Sequence, residues 1–336
     1  MRVREPVLAV TRMEYANLFH TTTDWYNAWS VARVLGLEPI AGEALAAMVA
    51  FAAGGGLTPS TLVTPFAGAP KVPAHVVFLD GHNAGPMDEG WLGLFPSVSY
   101  IKHFAPGPLC LARAIFAPFG YQAALSVGFT QRVGACRGQA HVRQFGDDMV
   151  RGLGITPRTT ATCAAPLTKT LFVRRVHYLA HPRHNGKVVR RLDNEDEIWG
   201  ALKAQAEGGG AGVEMANGLF SSLTMRQQVV LAQDACVMVG AHGAGLSHIL
   251  FAPPEVHMLE LQTPGFARPH FIAYAGWAGS HHHVWGLDTS SPNVHTVVSR
   301  VFETAVHAGI EGREDSHHDG QGAGGGEVDH PGCAAV

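Results

Sequence analysis

Asp234-Ala-Cys-Val-Met-Val-Gly-Ala-His-Gly-Ala-Gly-Leu-Ser-His-Ile-Leu-Phe-Ala-Pro-Pro-Glu-Val-His-Met-Leu-Glu-Leu-Gln262 reads as strand, glycine turn, short helix, proline stop and second strand. Cys236 to Val239 form a continuous apolar run, as expected of a strand buried on both faces. Gly240, Gly243 and Gly245 punctuate a turn. Leu246 to Phe251 read as a short helix that Pro253 and Pro254 end, and Val256 to Leu261 as a second strand. A strand that opens through glycines onto a helix N-terminus offers unpaired N–H groups and a positive dipole end to an anion. The turn around His242, Gly243, Ala244 and Gly245 could therefore hold a nucleotide diphosphate. Taken alone, the stretch reads more readily as a tight turn between packed elements, because G-A-H-G-A-G is not the dinucleotide fingerprint and lacks a P-loop lysine.

The chain around it holds 336 residues, enough for two domains of ordinary size. With 46% apolar and 15% charged residues there is ample material for buried cores. A net charge of −3 argues against holding nucleic acid by bulk electrostatics. The five cysteines show neither C-x-x-C nor zinc spacing. Cys236, inside an apolar strand, is expected to be a packed thiol, leaving Cys110, Cys136 and Cys163 as the candidates for a disulfide. The longest apolar run, Ala44 to Ala53, is shorter than the about 20 residues a membrane span needs. The first residues lack the apolar core of a signal peptide. The expectation is a soluble chain, or one that begins downstream of its membrane anchor.

Hydrophobic periodicity places a strand at Val7–Thr11 and a helix at Tyr15–Leu35. Tyr15, Leu18, Thr22, Trp25, Trp29 and Ala32 make one face of that helix. Asn17, His20, Asp24 and Asn27 recur on the opposite face, which carries no lysine and no glutamate. His20 and Asp24 stand four apart and can hydrogen-bond, so the stripe is either a functional face or an ordinary polar one. Strands are expected at His75–Asp80, followed by the loop Gly81-His82-Asn83, at Ser97–Lys102 and at Ala114–Ala117, with a helix at Gln144–Leu153. A second series begins at Thr170–Val173, which ends in Arg174-Arg175. A loop leads from Val176 through Lys187 to Arg190–Asn194, and helices follow at about Glu195–Ala206 and Leu223–Ala235. After the central stretch come a helix at Ile272–Trp277, a strand at His281–Trp285 and a last helix at Val294–Ala308. Strands alternating with helices predict mostly parallel sheets. The expected organisation is an α/β domain at 1–155 with an insertion at about 41–73, a linker at 156–168, a second α/β domain at 169–308 and a disordered tail at 309–336. Arg174 and Arg190 are suitable phosphate donors, or else partners of Glu195 and Glu197. Glu260 could accept from ribose hydroxyls, or be an edge carboxylate.

Four blocks carry a resemblance. Glu14-Tyr-Ala-Asn-Leu-Phe-His-Thr-Thr-Thr-Asp-Trp-Tyr26, Phe172-Val-Arg-Arg175 with Tyr178-Leu-Ala-His-Pro-Arg-His184, Gly240-Ala-His-Gly-Ala-Gly-Leu-Ser-His248, and Arg268-Pro-His-Phe271 resemble, in the same order, the plant β1,2-xylosyltransferases of glycosyltransferase family 61. The resemblance implies two Rossmann-like domains facing a cleft, the GT-B arrangement, and an inverting transfer of xylose from UDP-xylose to the core β-mannose of an N-glycan in the Golgi lumen. It implies that Arg174 and the Arg-x-hydrophobic-x-Asn-x-x-Glu pattern of Arg190, Leu192, Asn194 and Glu197 contact the diphosphate and uridine, with His242 on the donor phosphate or sugar. Asn17, His181 and Arg183 are expected to bind the acceptor, and Asp24 or its partner His20 to act as base. No cofactor and no metal is required in such an arrangement, because arginines and helix amides can neutralise the leaving UDP, although a divalent ion could stimulate activity. The expected partners are thus a UDP-sugar and a glycoprotein N-glycan, with no nucleic acid, and a membrane only through an anchor outside this sequence. The alternatives are a family 61 enzyme moving another pentose or GlcNAc onto a wall polysaccharide or protein, and a non-catalytic UDP-sugar or glycan binder.

Overall fold

Two parallel sheets organise the chain in the computed structural model, which describes residues 2–36, 74–104, 110–126, 137–160, 163, 168–177, 188–209, 212–266 and 268–318. The first sheet has the strand order β3-β2-β1-β4, with β1 at Arg2–Val10, β2 at His75–Phe78, β3 at Ser97–Tyr100 and β4 at Cys110–Phe116. The second has the order β6-β5-β7-β8-β9, with β5 at Thr168–Val173, β6 at Val213–Gly218, β7 at Val237–Ala241, β8 at His257–Gln262 and β9 at His281–Gly286. Every recorded pairing in both sheets is parallel. The crossovers carry helices α1 (Leu18–Val34), α2 (Asp88–Leu94), α3 (Ala140–Gly152), α4 (Glu195–Glu207), α5 (Met225–Asp234) and α6 (His270–Ala278), and α7 (Val294–His318) closes the order.

Local chemistry explains the boundaries. β1 is a central strand, and its proline is tolerated because the β4 register shifts between Val3 and Pro6 and pairing with β2 begins only at Val7. Asn17 caps α1 by accepting from the Phe19 N–H at 3.1 Å. Thr224 and Gln227 form a reciprocal capping box at the start of α5. The central stretch forms β7, a 3-10 helix at Ala244–Phe251, and β8.

One core joins both sheets. Leu8 and Val10 of β1, with Trp25 and Trp29 of α1, belong to the same buried cluster as Leu250, Phe251 and Tyr274. Because α1 packs against the first sheet, the 3-10 helix and α6, it is buried nearly all round: Thr21, Thr22, Thr23 and Asp24 are each at most 2% exposed. This corrects the expectation of an apolar face opposed by a polar one. Sequence periodicity also misses β6, whose residues Val-Glu-Met-Ala-Asn-Gly follow a glycine turn and lack a β-branched run.

At the far end, α7 continues past Ala308 to His318, where a disordered tail was expected. Gly309 is a packing residue there and not a helix stop: a Cβ would meet Thr168 Oγ1 at 2.8 Å. Residues 319–336 lie outside the described residues, as does the expected insertion at about 41–73. Of the expected linker, 156–160 and Cys163 are described and carry neither helix nor strand. Arg158 ties this segment to α5, its N–H donating to Gln233 Oε1 at 2.8 Å.

Cys236 is buried as expected, but it is bonded to Cys163 across a sequence separation of 73 residues. Spacing could not reveal that pairing, because the two cysteines meet only when β5 and β7 pair. Cys110 is exposed and free. We expect the paired serine substitutions Cys163→Ser and Cys236→Ser to lower unfolding stability by about 4 kcal/mol, the loss that follows from releasing a loop of this size in the unfolded chain. Denaturant titration of the wild type with and without reductant checks this.

Candidate active site between the two sheets

A cavity of about 540 Å³ lies where the carboxyl ends of both sheets meet. Its walls come from the segments that follow β1 (Glu14, Asn17, His20), β2 (Met87), β4 (Tyr121), β5 (Arg174, Arg175), β6 (Phe220) and β7 (Ala244, Gly245). Parallel α/β sheets place ligands at these strand ends.

The β5 end of the cavity is cationic. Arg174 pairs with Asp196 and lies 3.5 Å from Glu195, so it is the charge-balanced arginine of the group. Arg175, which sequence reasoning passed over, takes the central position. Its guanidinium donates to the His242 carbonyl and packs under Gly243, where a Cβ would meet its Nη1 at 1.9 Å. Its backbone N–H donates to both Glu195 oxygens at 3.0 Å. Burial pushes Glu195 above the usual carboxylate range, and the Arg175 N–H and Arg174 oppose that shift. Glu195 is 6% exposed, whereas Glu197 stands exposed on α4. Of the two carboxylates expected as alternative partners of the arginines, Glu195 is the one that reaches Arg174 and Arg175. Asn194 also differs from expectation: it donates to the Pro292 carbonyl at 2.8 Å and stands outside the cavity wall, joining α4 to the loop before α7.

Arg190 has the opposite character. It holds φ at 59°, in the left-handed region that a non-glycine residue rarely adopts. Its guanidinium lies 4.3 Å from the Phe266 ring centroid, and that of Arg268 lies 5.6 Å from the same ring. Burial, and then the charge of Arg268, hold Arg190 below the ordinary arginine value. Among the described residues, no carboxylate lies within ion-pair distance of either. Two like charges share one ring beside the glycine turn, and Arg190 also lines a second hollow with His177 and Arg191. Such a pair can receive a polyanion. Arg268 belongs to a block singled out in the sequence, but nothing there showed that Phe266 would bring it to Arg190.

Behind the turn, Glu260 is fully buried. One of its oxygens accepts from His242 Nδ1 and the other lies 2.8 Å from His282 Nε2. Burial alone would raise this carboxyl, but the hydrogen bonds from His242 and His282 outweigh it and hold it at about 2. Glu260 thus orients His242 and does not stand open to a ribose. With Nδ1 engaged, His242 turns its ring between Phe266 and Phe271, at centroid distances of 4.7 and 5.0 Å.

On the opposite wall the stripe of α1 divides into two pairs. Asn17 Nδ2 donates to Glu14 Oε2 at 3.1 Å, and His20 Nε2 lies 3.6 Å from Glu14 Oε1 and 3.4 Å from the Tyr121 hydroxyl. Asp24 and Asn27 face elsewhere. Asp24 accepts the Met13 and Gly120 N–H groups at 3.3 and 3.0 Å, and Asn27 Nδ2 donates to the Pro118 and Phe119 carbonyls at 3.1 Å. The expected His20–Asp24 hydrogen bond gives way to these partners. Asp24 is 2% exposed and does not line the cavity. Behind this wall, the buried Arg12 clamps Asp80 through two hydrogen bonds of 2.7 and 3.0 Å and reaches Asp88 at 3.2 Å. That clamp fixes the strand-end loops, and His82 of the expected ligand loop stacks on Tyr15 at 4.5 Å, away from the cavity wall. His181 and Arg183 lie outside the described residues.

Burial raises the Asp24 carboxyl to about 7 against the pull of its two N–H donors. Between its ordinary value of 3.8 and about 7, the folded chain holds a proton that the unfolded chain gives up. Through this group, stability is therefore greatest below about pH 4 and falls as pH rises to about 7. We expect that component of the pH slope to vanish in Asp24→Asn, measured by denaturant unfolding of both proteins across that range.

This is an α/β protein with an arginine-lined cleft at the carboxyl ends of two parallel sheets. The chain belongs to glycosyltransferase family 61: the family model described as Glycosyltransferase 61 matches residues 46–259. It is 35% identical over 329 residues to the beta-1,2-xylosyltransferase of Arabidopsis thaliana, an alignment covering 90% of this chain and 55% of that protein. To beta-1,2-xylosyltransferase RCN11 of Oryza sativa subsp. japonica it is 35% identical over 319 residues, covering 89% and 52%. An EGF domain-specific O-linked N-acetylglucosamine transferase of Gallus gallus is 23% identical over 188 residues, covering 56% of this chain and 32% of that protein. The chain spans about half the length of the two xylosyltransferases it matches. Among the described residues, no helix is long and apolar enough to cross a membrane.

Proposed function

We propose that this chain carries the catalytic part of an inverting xylosyltransferase, which moves xylose from UDP-xylose to the core β-mannose of N-glycans in a β1,2 linkage. The observation that carries this reading is the pair Arg190 and Arg268, without carboxylate partners among the described residues, both over the Phe266 ring beside the G-A-H-G-A-G turn. A diphosphate supplies the charge that this pair lacks. The names of the Arabidopsis and rice relatives support xylose as the sugar transferred.

In this reading the two sheet units are the halves of a GT-B arrangement, at 1–155 and 169–308, with the donor on the second. UDP lies with its phosphates against Arg175, Arg190 and the amides of Ala244 and Gly245. His242, oriented by Glu260, faces the phosphate or sugar. The acceptor enters along α1. The arginines neutralise the departing diphosphate, so a chelator should leave the activity in place. A disulfide at Cys163–Cys236 suits an oxidising compartment such as the Golgi lumen.

The partial match to an N-acetylglucosamine transferase favours one second reading, transfer of another sugar by the same cleft. A panel of UDP-sugars offered with N-glycan and xylan acceptors separates the two. We expect UDP-xylose with the N-glycan to give the main product; a main product from UDP-GlcNAc, or on xylan, would replace this proposal.

A further inference from the structure

We propose that Glu14 is the base that takes the acceptor's proton in this transfer, with Asn17 and His20 as positioning residues that hold its carboxylate. The inference rests on the reaction proposed above and adds to it a residue so far without a role.

Asp24 has another task. Both its oxygens receive backbone N–H groups, and Gly120 sits so close that a Cβ there would lie 2.3 Å from Asp24 Oδ1. Together with Asn27, Asp24 fastens the segment 118–120 and so sets Tyr121 beside His20. This carboxylate works in the wall, not on its surface.

Glu14 stands on the cavity wall itself, with a side chain 4% exposed. Its orientation is fixed from two directions. Asn17 accepts the Phe19 N–H through Oδ1 as the helix cap, so its amide nitrogen is the atom turned to Glu14 Oε2. His20 Nε2, one helical turn further on, stands 3.6 Å from Glu14 Oε1. The carboxylate is therefore aimed and desolvated, and it reaches the cavity from the segment after β1, whereas Arg174, Arg175 and Arg190 reach it from the segment after β5.

That separation is what inversion needs. The acceptor oxygen forms a bond to the anomeric carbon from one side. The bond from that carbon to the phosphate oxygen breaks on the other, and its electron pair leaves with UDP toward the arginines. The hydroxyl proton passes to a Glu14 oxygen, leaving a neutral carboxyl that releases it to water after the product departs. Atoms and charge balance without a further reactant.

The test compares Glu14→Gln, Glu14→Ala and Glu14→Asp with the wild type, using UDP-xylose and a defined N-glycan, and measures the UDP Kd of each by calorimetry. Glu14→Gln is expected to lower kcat by roughly 10²–10⁴-fold, with the UDP Kd within threefold of wild type. Glu14→Asp should recover part of the rate. Azide needs no deprotonation, so Glu14→Ala should still transfer xylose to azide while failing with the glycan. Wild-type activity with an active Glu14→Gln overturns the assignment alone. Loss of UDP binding or of azide transfer in the variants also overturns it, because Glu14 would then be structural. A wild type that binds UDP-xylose but transfers no xylose overturns the reaction, and this assignment with it.

Discussion

Alanine at Gly243 is expected to weaken UDP binding by more than roughly tenfold, the loss of one charge-assisted contact, while the melting temperature stays within a few degrees of wild type. Gly243 has an extended backbone, with φ at 171°, so the substitution introduces no backbone strain. What the new methyl meets is the Arg175 guanidinium, at 1.9 Å from Nη1, 2.3 Å from Cζ and 2.9 Å from Nε. The far end of an arginine can swing aside at little cost to the fold. In doing so it breaks its hydrogen bond to the His242 carbonyl and leaves the β5 end of the cavity. The effect should therefore fall on the ligand and spare stability. Calorimetry with UDP and a thermal melt on the same sample check both halves, and a large fall in melting temperature would show that the turn, not Arg175, bears the methyl.

Removing both uncompensated arginines should cost still more. Arg190→Ala and Arg268→Ala are each expected to weaken UDP binding by roughly 10–100-fold, since hydrogen bonds to charged groups contribute about 1.5–3 kcal/mol. Both face one ring and would meet one diphosphate, so the double variant should lose less than the sum of the two. Arg190→Gly separates charge from backbone. Glycine adopts the 59° φ without its Cβ crowding the carbonyl, so this variant should be more stable than Arg190→Ala by about 1 kcal/mol while binding UDP no better. Equal UDP affinity in wild type and Arg190→Ala would remove the diphosphate from this site.

The sequence discloses the fold more readily than the site, for reasons that can be traced to particular residues. The apolar runs of β1, β2, β5, β7 and β8 are strands buried on both faces, and short runs of that kind carry their own signal. β6 and α2 have weaker patterns and depend on their neighbours for burial. In the site, Arg174 and the glycine turn fall at strand ends, where a reading of strand order already looks, and Arg190 falls in the loop that leads from β5 to α4. The pairings do not. Arg175 with Gly243, Arg190 with Arg268 over Phe266, and Cys163 with Cys236 are made across crossovers of dozens of residues. The stripe of α1 shows the same limit. Helical spacing places Asn17, His20, Asp24 and Asn27 in a row, but the loop at Pro118–Gly120 covers its second half, and only packing shows that Asp24 is a fastening while the equally buried Glu14 lines the cavity.

Xylosyl transfer with inversion across this cleft is the function proposed for the chain. Its most direct test is the product formed when the chain is incubated with UDP-xylose and a defined N-glycan in the presence of EDTA, followed by mass spectrometry and NMR of the new linkage. We expect the gain of one pentose, attached in the β configuration from the α-linked donor to O2 of the core mannose, with the yield unaffected by the chelator. A pentose attached in the α configuration, or no pentose gained by a chain that binds UDP, would contradict it.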